Sequence, residues 1–246
     1  MKTIVVMFVV IFTAFAGMAQ NPESISIDDV EIVPAQFTGA EYIVNHNRDV
    51  NLLTSYLCKC INYPEEAIKH QDEGTIVAKF TVNEKGQVSN IVIVNSVSPE
   101  IDQEFTRALN STSSMWKPAM KGGDFRDCYK EVSLTFSLVN DPEVTREHFR
   151  HNANIYYMRG SEILLKQLKY KKAENYFDLA MKYMPNDGSL LYLRGICRYE
   201  RGNLEGANED WQRYSEITGL TCPPQIALDE KQFKGVEAFA QKFKDE

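Results

Sequence analysis

Apolar and polar residues alternate in the first half of the chain, and this pattern predicts a β-hairpin. In residues 75–82 every second side chain is apolar, and residues 88–94 are rich in β-branched side chains. Between them lies Asn83-Glu84-Lys85-Gly86, whose glycine can adopt the positive φ of a tight turn. Residues 131–138 alternate in the same way and predict one further strand.

Two helices are predicted around these strands. The first has apolar residues at helical spacing, namely Ile43, Val50, Leu53, Leu57 and Ile61, and it ends before Pro64. The second begins at Ser98-Pro99-Glu100, where serine caps the helix, proline fits its first turn and glutamate complements its dipole. The predicted fold is α+β, a small antiparallel three-stranded sheet with two helices on one face.

The remainder of the chain is predicted to be helical and to repeat. Five pairs of residues are each 34 positions apart: Tyr157 and Leu191, Ser161 and Gly195, Tyr170 and Leu204, Ala173 and Ala207, and Phe177 and Trp211. The dipeptides Arg159-Gly160 and Arg194-Gly195, however, are 35 positions apart. The alignment of the first helix of one repeat with that of the next is therefore left open by one residue.

Residues 37–140 resemble the TonB C-terminal domain as it occurs in many Bacteroidetes proteins. The matching strings are Phe37-Thr38-Gly39-Ala40, Tyr63-Pro64-Glu65-Glu66-Ala67, Glu73-Gly74-Thr75, Phe80-Thr81-Val82, Gly86-Gln87-Val88-Ser89, Asp102 and Trp116-Lys117-Pro118-Ala119. The resemblance implies that a peptide, such as a segment of an outer-membrane receptor, is added as a strand beside the last strand. The residues expected there are Lys130, Val132, Ser133, Leu134, Thr135 and Phe136. The alternative is an unused edge strand, blunted by Lys130 and Glu131.

Residues 142–221 resemble two tetratricopeptide (TPR) repeats, and residues 222–246 are expected to form a capping helix. The resemblance rests on the period and on strings such as Tyr170-Lys171-Lys172-Ala173 and Gly202-Asn203-Leu204-Glu205-Gly206-Ala207. It implies a concave protein-binding surface that presents Met158, Glu162, Tyr192, Ile196 and Tyr199. The alternative is that this surface only packs on the first module.

The N-terminus predicts export. Lys2 precedes an uncharged run from Ile4 to Gly17, and small residues at Gly17 and Ala19 fit a cleavage site. As a helix this run spans only ~21 Å, less than the roughly 30 Å of a membrane core. Residues 1–19 are therefore predicted to be a cleaved signal peptide and residues 20–36 a short linker, which places the protein in the periplasm. The alternative is an uncleaved inner-membrane anchor.

Composition and motifs exclude several classes of function. The net charge of -7 and the absence of a long basic run argue against nucleic-acid binding. Neither phosphate-binding loops nor hydrolase or metalloprotease motifs occur, so no enzyme, cofactor or small-molecule substrate is expected. His148 and His151 are three residues apart, but without further ligands a solvated helix face is favoured over a metal site. The five cysteines define no zinc or redox motif.

Three functions therefore follow as hypotheses. The first is a periplasmic adaptor that binds proteins or peptides on both modules and contacts membranes only through its partners. The second is a component of a TonB-type energy-transducing transport system, although seventeen residues, Gln20 to Gln36, are too few to cross the periplasm. The third is a purely structural envelope protein.

Overall fold

The computed structural model describes residues 32–39, 52–224, 226, 228–229 and 231–243. The chain divides into two compact units, unit 1 (Met1–Pro142) and unit 2 (Glu143–Glu246). The predicted signal peptide, residues 1–19, and the first part of the first predicted helix, residues 42–51, lie outside the described residues.

Unit 1 contains short strands and helices grouped around one hydrophobic core. Its elements are β1 (Ile32–Val33), β2 (Gln36–Phe37), α1 (Leu52–Cys60), α2 (Glu65–Lys69), β3 (Gly74–Val82), β4 (Val88–Asn95), α3 (Pro99–Asn110), β5 (Trp116–Lys117), β6 (Ala119–Lys121), β7 (Asp124–Arg126) and β8 (Cys128–Phe136). The predicted α+β class, with a small antiparallel sheet, is confirmed.

The main sheet has the strand order β4-β3-β8, and both pairings are antiparallel. The predicted hairpin is present as β3 and β4. Its turn is held by the Asn83 side chain, whose Oδ1 accepts hydrogen bonds from the backbone N–H groups of Lys85 (3.0 Å) and Gln87 (2.9 Å). Gly86 has φ of 72° and lies against the backbone of Trp116, which leaves no room for a Cβ atom.

Helices α1 and α3 contribute to the core that covers one face of this sheet. The helix α3 begins as predicted, with Pro99 in its first turn and the Ser98 side chain accepting a hydrogen bond from the N–H of Ile101. Its apolar stripe is fully buried, and so are the alternating apolar residues of β3 and β8. Leu53 and Leu57 bring α1 into the same cluster.

The short strands form two further sheets that the periodicity did not predict. Strand β2 pairs with β5, and β1, β6 and β7 form a three-stranded sheet in the order β1-β6-β7. The prediction that residues 20–36 form a linker is therefore wrong for the end of this segment, because Ile32–Val33 is a strand paired with β6. Two or three residues are too few to establish an alternating pattern. The pairing brings the Phe37 ring to 5.2 Å from the buried Trp116 ring.

Unit 2 is helical throughout its described part. Its elements are α4 (Pro142–Glu162), a π-helical turn (Ile163–Gln167), α5 (Tyr170–Tyr183), α6 (Gly188–Glu200), α7 (Leu204–Thr218) and α8 (Lys234–Lys242). The Asp187 side chain caps α6 through the N–H of Leu190 at 3.1 Å, and the Asn203 side chain caps α7 through the N–H of Gly206 at 3.1 Å.

A glycine-on-aromatic contact occurs twice in unit 2. Gly160 in α4 lies against the Phe177 ring of α5, so closely that a Cβ atom would be 2.8 Å from the ring. Gly195 in α6 lies even more closely against the Trp211 indole of α7. The two contacts make Gly160 the counterpart of Gly195, and they resolve the register that the sequence left open.

The C-terminal helix α8 covers α6 and α7 with one aromatic side chain. The fully buried Phe239 ring lies 5.1 Å from the Tyr192 ring, 5.6 Å from Trp211 and 5.6 Å from Tyr214. Edge-to-face geometry in the first two pairs is the arrangement that aromatic quadrupoles favour. This end of the helical unit is therefore closed to solvent.

Candidate functional site

The two outer strands of the main sheet differ in regularity. Strand β8 pairs with β3 over nine consecutive residues, from Val82↔Cys128 to Gly74↔Phe136, without a shift. Strand β4 pairs with β3 with two register shifts, and its Asn90 has a positive φ of 50°. Such bulges twist an edge and interrupt its row of hydrogen-bonding groups. Among the described strands, none pairs with the outer side of β8.

The predicted binding residues on β8 divide between its two faces. Val132, Leu134 and Phe136 have 4%, 0% and 0% exposure and form part of the core. Thr135 is also buried, and its Oγ1 lies 3.0 Å from Oγ1 of Thr75 on β3. A partner therefore cannot reach these four side chains, and the contribution of this part of the strand is its backbone.

The accessible side chains lie at the start of β8. Tyr129 is 84% exposed, Glu131 is exposed, and Lys130 and Ser133 are half-buried. In the register of the sheet, Glu131 is opposite Lys79 of β3. Any side-chain selectivity of this edge would come from residues 129–133, because the following residues are buried.

The end of β8 is fixed by a carboxylate. Glu73, which immediately precedes β3, accepts hydrogen bonds from the N–H of Leu138 at 2.7 Å and from the Ser137 hydroxyl at 3.2 Å. A charged acceptor makes these bonds stronger than neutral ones. The edge strand is thus held in continuous register by β3, and the residues that follow it are held by Glu73.

The residues predicted on the helical surface are not brought together. Tyr192 and Ile196 are 1% and 0% exposed, so their assignment to an open concave surface is wrong. The physical reason is α8, whose Phe239 packs on Tyr192 and whose Gly235 lies against Ile196. Tyr199 is half-buried and its ring stacks on Trp211 at 5.8 Å. Of the five residues, Met158 and Glu162 of α4 are exposed.

A different surface of unit 2 forms a groove of about 850 Å³. It lies between residues 144–157 of α4 and the residues around the start of α6. Its lining is mixed in polarity and consists of Val144, Glu147, His148, Arg150, His151, Ala153, Asn154, Tyr157, Met184, Asp187, Ser189 and Leu190. The sequence pattern did not reveal this groove, because its two walls are separated in the chain by α5.

The histidine pair of α4 belongs to this groove. His148 Nε2 lies 2.9 Å from the Asn152 side-chain amide, and His151 is exposed. Within the described residues, no group of three or more histidine, cysteine or acidic side chains is placed to hold a metal ion. Both histidines are among the residues that line the groove.

A half-buried thiol in unit 1, Cys58, and a buried thiol in unit 2, Cys197, lie among apolar residues. Burial raises the pKa of Cys58 to about 11, and burial also raises the pKa of Cys197. A thiol with a raised pKa stays protonated at neutral pH and is a poor nucleophile. These two cysteines are thus packing residues.

Comparison with known proteins finds that part of unit 1 is similar to a known family. The model of the C-terminal domain of Gram-negative bacterial TonB proteins matches residues 60–138. Among solved structures, the solution structure of the Helicobacter pylori TonB C-terminal domain is 20% identical, covering 36% of this chain and 92% of that one, with a TM-score of 0.30. No curated protein matches the chain. The family match thus falls on the segment that contains β3, β4, α3 and the regular edge strand β8.

Proposed function

We propose that this chain is a non-enzymatic protein of the cell envelope that binds other proteins, with the β8 edge accepting an extended peptide. The observation that carries the proposal is the contrast between the two edges of the main sheet. Strand β8 offers nine residues in unbroken register, whereas β4 is interrupted by two shifts. A straight edge presents a continuous row of donors and acceptors, which an added strand can satisfy.

The family match supports this proposal. TonB C-terminal domains interact with proteins in energy-transducing systems of the envelope, and the matched segment, residues 60–138, includes the whole of β8. Backbone pairing would supply the affinity, because Val132, Leu134 and Phe136 are committed to the core. Tyr129 and Glu131 would supply side-chain selectivity at one end of the added strand.

The groove of unit 2 is proposed as the second protein-binding surface. Its walls combine apolar residues with histidine, arginine and asparagine side chains, the mixture that polar peptide segments require. The glycine-on-aromatic contact occurs once in each of two helix pairs. This repetition supports two TPR-like repeats that are covered at one end by α8. Together the two surfaces make the chain an adaptor, which we place in the periplasm with its first 19 residues removed.

A role in TonB-type energy transduction is the second candidate, favoured by the family match itself. It requires the chain to remain attached to the inner membrane. Of the described helices, none is long and apolar enough to cross a bilayer. The mass of the protein isolated from envelope fractions separates the two candidates, since loss of residues 1–19 leaves Gln20 as the N-terminus and removes the proposed attachment.

Amide hydrogen exchange tests the peptide site directly. The probes are synthetic peptides from the periplasmic ends of outer-membrane receptors of the same cell, added to the ¹⁵N-labelled protein. Successive N–H groups of a strand point to opposite sides, so an added strand should slow the exchange of every second amide of β8. Protection of β4 amides, or of the unit 2 groove alone, would refute the assignment to β8.

A further inference from the structure

The turn that joins α4 to α5 carries a concentration of positive charge. Residues 165–172 read Leu-Lys-Gln-Leu-Lys-Tyr-Lys-Lys, and no acidic residue occurs from 163 to 173. The whole protein, by contrast, has a net charge of -7. We call residues 165–172 the basic tip, because they lie at the end of a hairpin of two helices.

The backbone of the basic tip turns two leucines outwards. The helix α4 continues into the π-helical turn, and Leu168 then has a left-handed φ of 52°. Leu165 and Leu168 are 44% and 42% exposed. The preceding Ile163 and Leu164 are 2% and 0% exposed and already fill the core at this point. A large apolar residue in the left-handed region is uncommon and does not serve the packing of unit 2.

The lysine charges of the tip are only partly neutralised. Lys166 lies 3.4 Å from Glu162, and Lys171 lies 3.5 Å from Glu174. The Glu174 carboxylate is also bound by Arg198 and Arg201, so little of its charge is left for Lys171. In the described part of the chain, Lys169 and Lys172 have no carboxylate within ion-pair distance.

We propose that the basic tip binds an anionic lipid surface. In this arrangement Leu165 and Leu168 enter the region between headgroups and acyl chains, while the lysines extend to the lipid phosphates. The shape favours a membrane over an acidic protein segment, because the tip is a turn at the end of a hairpin. The groove of unit 2 is lined by none of its residues. The interaction is independent of the peptide site on β8.

Sedimentation with lipid vesicles tests the charge requirement. The full chain is mixed with vesicles of phosphatidylcholine alone, or of equal parts phosphatidylcholine and phosphatidylglycerol. Lys169→Gln/Lys172→Gln should lower partitioning onto the anionic vesicles roughly 30-fold and leave partitioning onto the neutral vesicles unchanged. Neutral vesicles report any binding through other apolar segments, so the difference between the two vesicle types measures the charge-dependent part of the binding. Equal binding of the parent to both vesicle types overturns the proposal.

A second pair of variants tests the leucines. Leu165→Ser/Leu168→Asn removes the apolar contact, and asparagine tolerates the left-handed backbone at position 168. This variant should lose most of its binding to anionic vesicles while its circular dichroism and melting remain those of the parent. The matched controls are Leu204→Ser, at a 51% exposed leucine, and Lys231→Gln/Lys234→Gln, at two exposed lysines. Controls that lose as much binding as the tip variants refute the proposal. Retention on immobilised polyglutamate without binding to vesicles also refutes it and assigns the tip to an acidic protein.

Discussion

Gly195 lies directly against the indole ring of Trp211, where a Cβ atom on the glycine would overlap Nε1 and the neighbouring ring carbon. The contact lets α6 approach α7 closely at this point. The Trp211 N–H meanwhile points to the backbone carbonyl of Tyr192 at 3.5 Å. Gly160 and Phe177 repeat the same relationship between α4 and α5. The position of each helix pair thus depends on the absence of one side chain.

Gly195→Ala should destabilise unit 2 by about 1–3 kcal/mol, because the added methyl group overpacks the contact with Trp211. The sign of the change in the free energy of unfolding shows whether the glycine is required by close packing. Glycine in a helix interior is about 1 kcal/mol less favourable than alanine, so the substitution would stabilise the protein if space were available. Urea unfolding followed by tryptophan fluorescence measures the change.

The double variant Gly195→Ala/Trp211→Leu provides the control. A smaller side chain at position 211 makes room for the methyl group, so the double variant should lose less stability than the sum of its single variants. Additive effects would show that the methyl group meets something other than the indole.

Proline substitutions at Lys130 and Glu131 should separate the edge of β8 from its pairing with β3. These neighbouring N–H groups point to opposite sides of the strand, one towards β3 and one towards the open edge. The variant that removes the edge-facing donor should keep near-parent stability and lose peptide binding, measured by calorimetric titration. The other variant should lose stability, because it breaks a hydrogen bond of the sheet.

Ser133→Ala is the matched control for the edge, because it changes a half-buried side chain and leaves the backbone intact. It should bind peptides as the parent does. Undiminished peptide binding by both proline variants would contradict a role for β8 and direct attention to the groove of unit 2.

Glu104→Gln should lower the melting temperature at neutral pH but not under strongly acidic conditions. Hydrogen bonding from Arg107 holds the pKa of Glu104 below its ordinary value of 4.5. Its carboxylate also accepts the N–H of Asn62 at 2.8 Å. A lowered pKa means that the ionised form stabilises the fold. This stabilisation is present above pH 4.5 and is lost as the pH falls through the lower folded value.

Calorimetry across this pH range measures the difference between the parent and the glutamine variant. The two melting temperatures should converge as the parent carboxylate becomes protonated. A constant difference at all pH values would assign the effect to the shape of the side chain instead of its charge.

Phe239→Ala should destabilise unit 2 by about 3–5 kcal/mol, since this ring is fully buried and contacts four aromatic rings, three of them on α6 and α7 and the fourth that of Phe243. Thermal unfolding followed by near-ultraviolet circular dichroism detects the loss, because Tyr192 and Trp211 lose their edge-to-face partner. Phe243→Ala is the control at a partly buried ring of the same segment, and it should cost clearly less. Equal losses would mean that α8 is held by its whole length and not by Phe239.

The long elements of unit 1 were predictable because each contains enough residues to establish a period. Strands β3 and β8 have nine residues each and carry an apolar residue at every second position over 76–82 and 132–136, and α3 has a serine cap and a proline in its first turn. Strands β1 and β2 have two residues each and carry no such signal. Their position depends on pairing with residues more than 75 positions away, which no local pattern records.

The errors in the candidate site have a different physical origin. A helix in a repeat is apolar on more than one side, and periodicity does not say which side a later element will cover. The helical pattern alone predicts Tyr192 and Ile196 at the surface. The helix that covers them, α8, begins at Lys234, more than thirty residues further along the chain, so no local pattern indicates this cover. On β8 the alternation predicts the buried positions of Val132, Leu134 and Phe136, but not the burial of Thr135 on the opposite face. It could not predict that β4 would be bulged and that β8 would be the regular edge.

The π-helical turn Ile163–Gln167 lies where the two helix pairs of unit 2 differ in length by one residue. Gly160 and Gly195 are 35 positions apart, whereas their aromatic partners Phe177 and Trp211 are 34 apart, so the additional residue lies between Gly160 and Phe177. A π turn accommodates one extra residue within a helix. The two helix pairs thus differ in length, yet both keep the contact between glycine and aromatic ring. A comparison of the two pairs at any single period therefore aligns either the glycines or the rings, but not both.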